Sequence, residues 1–236
     1  MMAKHPVAHL KNAALKILPD GLTNLYRDAV LARKRKREDN RVLAQWESSG
    51  RPIPPPSIVK QRTVKRYAHE YGTRTLVETG TYFGEMVDAC SREFRRIISI
   101  ELDRSLYEGA HERFASDRHI EIYWGDSADL LPKLIKDLSE PSLFWLDGHY
   151  SAGITARGAL TTPIMEELSA ICEVPSDGHV ILIDDARIFI GEDDYPTVDE
   201  VREFVLSRKP YYEFLLEFDI MRFVPSRTNR PRGDRS

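Results

Sequence analysis

From residue 57 onward the chain alternates short apolar runs with stretches whose apolar residues recur at helical spacing. The runs are TLVETG (75–80), RIISIEL (96–102), HIEIYWGD (119–126), SLFWLDG (142–148) and HVILIDD (179–185). Helical patterning fills about 84–94, 103–116, 127–139 and 162–173, and a fifth helical stretch follows at about 197–208. Strands alternating with helices at this spacing predict a parallel sheet covered on both faces. Phe144, Trp145 and Leu146 are consecutive apolar residues, as are Val180 through Ile183. A strand buried on both sides requires such runs. HIEIYW instead alternates in part, which suits an edge strand, and in the doubly wound order 3-2-1-4-5 the third strand is the edge. Ahead of the first strand, SIVKQRTVKRYAHEYG reads as a helix closing at Gly72, a residue that tolerates the left-handed conformation of a helix end. Behind the fifth, YYEFLLEFDIMRFVPS (211–226) holds two β-prone runs with almost nothing between them. So short a link cannot make a parallel crossover, so the pair is expected to be antiparallel.

The two ends of the chain follow a different pattern. Residues 1–56 form an expected helical extension, with amphipathic stretches at about 8–18 and 22–48 and the basic run RKRKRED at 33–39. RPIPPP (51–56) lacks backbone donors and favours an extended linker. The basic run reads as a solvated helix face partly neutralised by Glu38 and Asp39. The expected organisation is therefore an extension over 1–56, an α/β domain over 57–226 and a polar, disordered tail over 227–236. The extension is a candidate homodimerisation or docking arm.

Composition narrows the functional classes. The chain has 236 residues, 42% hydrophobic and 30% charged, enough to bury a core without disulfides or a structural metal. A formal net charge of -3 gives no general attraction to nucleic acid or anionic membrane, and neither is an expected partner. Cys90 and Cys172 form no CxxC pair, which argues against zinc and fits a reducing cytoplasm. No run approaches a membrane span, and the first residues lack the pattern of a secretory leader.

Candidate chemistry gathers at the ends of the predicted strands. VETGTYFGEM follows the first: Gly80 permits a tight turn, and Gly84 opens the next helix, whose N–H groups can face an anion. The spacing Gly80-x-x-x-Gly84 departs from G-x-G-x-x-G, which disfavours a pyrophosphate and leaves room for an amino-acid carboxylate. Glu101 ends the second strand, where an acid can accept from both hydroxyls of a ribose, and Asp103 is the better N-cap for the following helix. Asp126 ends the third and suits either an adenine amino group or a helix cap. Asp147 ends the fourth strand, and Asp184 and Asp185 end the fifth. Three neighbouring carboxylates repel unless a cation or shared protons intervene, and Mg²⁺ prefers such oxygen ligands. The alternative is that one or two of them cap helices or pair with Arg157 or Arg187. His149 follows in a long loop carrying Gly153 and Gly158, where an imidazole can take a proton from an acceptor hydroxyl. Thr162 followed by Pro163 marks the next helix start.

Together, VETGTYFG, the acid of SIEL, the GDS after the third strand and the closing strand pair resemble the class I methyltransferases that use S-adenosylmethionine (SAM). The resemblance covers about 70–226 and implies a Rossmann-like doubly wound α/β sheet of order 3-2-1-4-5-7-6 with its last strand antiparallel. LDGHY followed by IDDAR further resembles the metal-dependent macrocin O-methyltransferase branch, although His149 stands where that branch often shows a second acid. The resemblance implies that Glu78, Thr79, Gly80, Thr81, Tyr82, Gly84, Glu101, Leu102, Asp126, Ser127 and Asp147 hold SAM. It implies that Asp147, Asp184 and Asp185 hold Mg²⁺ and that His149 and Asp147 act on the hydroxyl of a small acceptor such as a sugar. A nicotinamide-dependent oxidoreductase and a catalytically silent interaction domain remain as alternatives.

Overall fold

The computed structural model of the chain describes residues 20–147, 162–176 and 178–226, with side chains of the first helix described from residue 29. The expected amphipathic stretch at 8–18, the loop glycines with Arg157, and the tail at 227–236 lie outside the described residues. The chain divides after Arg51 into two compact units.

In the first unit, α1 (Asp20–Ser48) runs 29 residues and ends in a turn at Gly50, whose φ is 84°. Arg33 to Arg37 are all exposed, and Arg41 pairs with Glu38 at 2.5 Å. Exposed pairs of this kind add little stability.

The second unit opens with α2 (Ser57–Tyr71), which buries Val59, Thr63, Val64, Tyr67 and Ala68 on one stripe. It ends at Gly72 in the left-handed conformation, φ 67°, and Thr73 N–H reaches the Ala68 carbonyl at 3.0 Å. There follow β1 (Thr75–Thr79), α3 (Glu85–Cys90), β2 (Arg96–Glu101), α4 (Arg104–Phe114), β3 (Ile120–Trp124), α5 (Ser127–Ile135) and β4 (Ser142–Leu146). Then come α6 (Ile164–Glu173), β5 (Val180–Ile183), a 3₁₀ turn at Ala186–Ile188, α7 (Val198–Arg208), β6 (Tyr212–Glu217) and β7 (Ile220–Pro225). The order of the seven-stranded sheet is β3-β2-β1-β4-β5-β7-β6. The first five strands are parallel, and β7 runs antiparallel to both β5 and β6. The parallel strands and the antiparallel pair are those that the alternation and the short link predict, and their Rossmann-like order is the one the resemblance implies.

Register aligns the strands that matter for the site. Thr79 lies beside Ile100 on one side and Leu146 on the other, so β1, β2 and β4 end level. Alternate side chains then enter two cores. Val77, Ile98, Phe144 and Ile181 pack under α5, α6 and α7. Leu76, Ile97, Leu143, Trp145, Val180 and Leu182 pack under α2, α3 and α4.

Helix ends differ from the pattern by a few residues, and local bonds explain where. The helix expected over 84–94 stops at Cys90, where Ser91 Oγ bonds the Asp88 carbonyl and Phe94 turns inward to 4% exposure. A serine hydroxyl competing for a helix carbonyl favours a helix end. The stretch at 127–139 closes at Ile135, and Pro163 precedes the first residue of α6.

Candidate functional site

The loop between β1 and α3 is fastened to the neighbouring strand. Gly80 and Thr81 donate their N–H groups to the Ile100 carbonyl at 3.0 and 3.3 Å. Gly80 has φ 83° and Gly84 has φ 72°. At Gly84 a Cβ would lie 2.6 Å from the Phe114 ring, so both the backbone and the approach of α4 demand glycine. Tyr82 takes φ 51°, and its half-exposed ring meets that of Phe83 edge-on at 4.2 Å.

Glu101 is not an exposed acid at a helix start; it is buried at 4% exposure. Its Oε2 accepts from Tyr82 N–H at 2.7 Å and its Oε1 from Asp103 N–H at 2.8 Å. Burial raises its pKa, against the opposing pull of these backbone bonds. Each oxygen keeps a further lone pair, so the carboxylate can still accept from a diol. Asp103 caps α4, accepting from the N–H groups of Ser105 and Leu106. Asp126 is half-buried and caps α5 through Ala128 N–H at 3.0 Å, beside the buried Ser127. The cap that the sequence allows is therefore formed. Leu102 is half-buried, and its carbonyl accepts from the exposed Trp124 indole at 3.1 Å.

Beneath the loop lies a buried polar chain. Ser99 Oγ bonds Glu78 Oε2 at 2.5 Å and lies 2.6 Å from Thr81 Oγ1. Burial pushes the Glu78 carboxyl up to about 8; the Ser99 bond opposes this, and the charges of Asp147 and Glu101 add to it.

At the same rim, Asp147, Asp184 and Asp185 bring one oxygen each to within 4.8 Å of one another. Backbone bonds set them there: Asp147 N–H reaches the Thr79 carbonyl at 3.1 Å, and Asp184 N–H reaches that of Leu146 at 3.0 Å. Lys60, from α2, donates to Asp184 Oδ2 and to Asp185 Oδ1, the latter at 3.2 Å. Arg187 donates to the same Asp185 Oδ1 at 2.7 Å and also pairs with Asp219. Burial, and then the charge of Asp147, raises Asp184 to about 7, with Lys60 working the other way. Burial is the largest single influence on Lys60 and would lower its pKa, but Asp184, Asp185 and Asp147 together hold the ammonium above its ordinary value.

Asp147 and Asp184 line a small cavity with Thr162, Glu167, Phe189 and Tyr195. Glu167 is 1% exposed, and burial pushes it to about 7 against the hydroxyls of Ser127 and Thr79. Glu167 Oε1 and Thr79 Oγ1 are both buried without a hydrogen-bond partner. Burial also takes the Tyr195 phenol up to about 12, with the charges of Asp185 and Asp147 adding to the rise.

The rim therefore joins Gly80, Gly84, Glu101, Asp126, Asp147, Asp184 and Asp185 around the level ends of one sheet. His149 lies outside the described residues. Lys60 and Glu167 escape the sequence pattern, though each carries a faint signal. Lys60 shares a helical stripe with Thr63, Val64 and Tyr67, and Glu167 shares one with Ile164, Leu168 and Ile171. A charge on an apolar stripe is either paired or snorkelling to water.

No protein-family profile matches the chain, and no curated relative does. Solved structures do match. The O-methyltransferase TomG of Streptomyces achromogenes, solved with SAM and involved in tomaymycin synthesis, is 19% identical. It matches over 80% of this chain and 89% of its own, with a TM-score of 0.54. The chain has the class I methyltransferase fold. An O-methyltransferase from Bacillus cereus, solved with S-adenosylhomocysteine (SAH), is 17% identical over 79% of this chain and 90% of its own, with a TM-score of 0.51. The SAH-bound Podospora anserina methyltransferase PaMTH1 is 14% identical over 96% and 98%, with a TM-score of 0.50.

Proposed function

We propose that the chain is a SAM-dependent methyltransferase acting on a hydroxyl of a small acceptor, a sugar or comparable metabolite, with help from Mg²⁺. The observation that carries this reading is the meeting of Glu101, Asp147 and Asp184 at one rim of a sheet in the order 3-2-1-4-5-7-6. When bound, SAM supplies a methyl on a positively charged sulfur; the acceptor oxygen forms the new C–O bond, and the sulfur leaves as a thioether with the electron pair of the broken C–S bond.

The residues divide the work along the rim. Glu101 accepts from the ribose hydroxyls while its backbone bonds hold the glycine loop in place. Asp126 and Ser127 face the adenine side, and Leu102 supplies part of the apolar surface there. Glu78, Thr79, Thr81 and Tyr82 shape the floor and flank of the loop, and Gly80 and Gly84 let the backbone approach the methionine carboxylate. His149 takes up the acceptor's proton, and Asp147 orients the acceptor.

The rim acids fit a hard divalent cation. All donors are oxygens, and Asp184 is pushed toward protonation partly by a neighbouring acid, a penalty that a cation relieves. Asp147, Asp184 and Asp185 would hold the metal, which supplies Lewis-acid stabilisation of the acceptor's alkoxide. Calorimetry with SAM and, in parallel, with NAD tests the cofactor. Binding of SAM alone is the expected result, and no heat at millimolar SAM ends the reading.

A further inference from the structure

We propose that Lys60 is an internal competitor for the divalent cation, so that ammonium and metal occupy Asp184 and Asp185 in turn. This rests on the metal reading above and concerns a residue on a helix ahead of the first strand. Lys60 is anchored there by its helix: its neighbours Val59, Thr63 and Val64 are buried, and its own side chain is 19% exposed. Its ammonium reaches across the sheet to acids 124 and 125 residues later in the chain.

The local charge count leaves room for a second cation. Asp147, Asp184, Asp185, Asp219 and Glu167 gather around Lys60 and Arg187. Arg187 is divided between Asp185 and Asp219. Glu167 supplies an independent sign: it lines the cavity shared with Asp147 and Asp184, and its buried Oε1 has no partner. A buried acceptor without a donor is costly, and a cation in that cavity would satisfy it.

Both cations cannot stay. Mg²⁺ draws its oxygen ligands to about 2.0–2.1 Å, and an ammonium held by the same carboxylates would then stand within a few ångströms of a doubly charged ion. Of the two cations already present, lysine is the one able to leave. Its ammonium ends a flexible four-carbon stem and pairs with two acids of the cation-holding set, whereas the Arg187 guanidinium is also held by Asp219, outside that set. Displacing it lowers the apparent metal affinity, as any competing occupied state does.

The test uses the full chain without SAM or acceptor. Wild type, Lys60→Met and Asp184→Asn are titrated with Mn²⁺ by calorimetry near neutral pH. The expected result is that Lys60→Met binds Mn²⁺ about ten-fold more tightly or better than wild type and that Asp184→Asn binds much more weakly than either. Without metal, Lys60→Met melts below wild type, and Mn²⁺ raises its melting temperature by the larger amount. If Lys60→Met does not fold, Lys60→Gln replaces it with the same expected order. Equal or weaker binding by the lysine variant overturns the competition while leaving the metal reading intact. Absence of binding by every variant at millimolar Mn²⁺ overturns both, and SAM calorimetry reports separately on the methyltransferase.

Discussion

The Glu101 carboxylate accepts the backbone N–H of Tyr82 at 2.7 Å, tying the end of β2 to the turn that follows β1. One side chain thus fixes the loop and presents lone pairs to the rim.

Removing that carboxylate should cost twice, through the loosened loop and the lost acceptor. Glu101→Ala is expected to weaken SAM binding by about 1–3 kcal/mol, the usual cost of deleting a buried hydrogen-bonded partner. Calorimetry reads this directly, and an affinity within two-fold of wild type, roughly 0.4 kcal/mol, would remove Glu101 from the cofactor site.

Asp184 sits on the other side of the rim and should separate chemistry from cofactor binding. Asp184→Asn is expected to lower methyl transfer by about a hundred-fold or more, because it removes one oxygen from the set proposed to hold the cation. SAM affinity should stay near the wild-type value. A variant that loses both together would place Asp184 at the cofactor instead.

The buried acids predict how stability changes with pH. Glu78 is held at about 8 in the folded chain, above the ordinary carboxylate value of 4.5. Between those values the folded state binds more protons than the unfolded one, so stability falls as pH rises through this window and levels off above it. The slope for one such group is at most about 1.4 kcal/mol per pH unit. Thermal melts from pH 5 to pH 8 should show the decline, to which Asp184 and Glu167, each raised to about 7, also contribute, and Glu78→Gln, which cannot titrate, should make it shallower, most clearly between pH 7 and pH 8. An unchanged slope in that variant would mean that another acid is responsible.

Gly84 is constrained by its own φ of 72° and by the Phe114 ring. Gly84→Ala should therefore destabilise the domain by about 2 kcal/mol, combining left-handed strain with overpacking. Adding Phe114→Leu should relieve part of the loss, a non-additivity that urea unfolding can measure. Simple additivity of the two losses would show that the ring yields without help.

The sheet was legible because its strands need two apolar faces: Phe144–Trp145–Leu146 and Val180–Ile183 have no other good explanation. The closing pair was legible from a link too short for a crossover. The rim acids followed from the topology, since every parallel strand delivers its last residue to the same side. Asp126 was ambiguous and stays so, because one carboxylate can cap α5 and still face a ligand. Lys60 and Glu167 were not legible. Each is a single charge on an amphipathic stripe, and only its tertiary contacts show whether such a charge is paired, as Lys60 is, or keeps a buried oxygen without a partner, as Glu167 does.

The reach of α2 bears on how the protein is made. Lys60 meets Asp184 from 124 positions away, and Tyr67 on the same helix accepts from Arg222 across 155. During translation the helix emerges long before either partner does. The rim can therefore be completed only after β5 leaves the ribosome, so a nascent chain halted before β5 would hold the glycine loop and Asp147 but neither acid that Lys60 bonds.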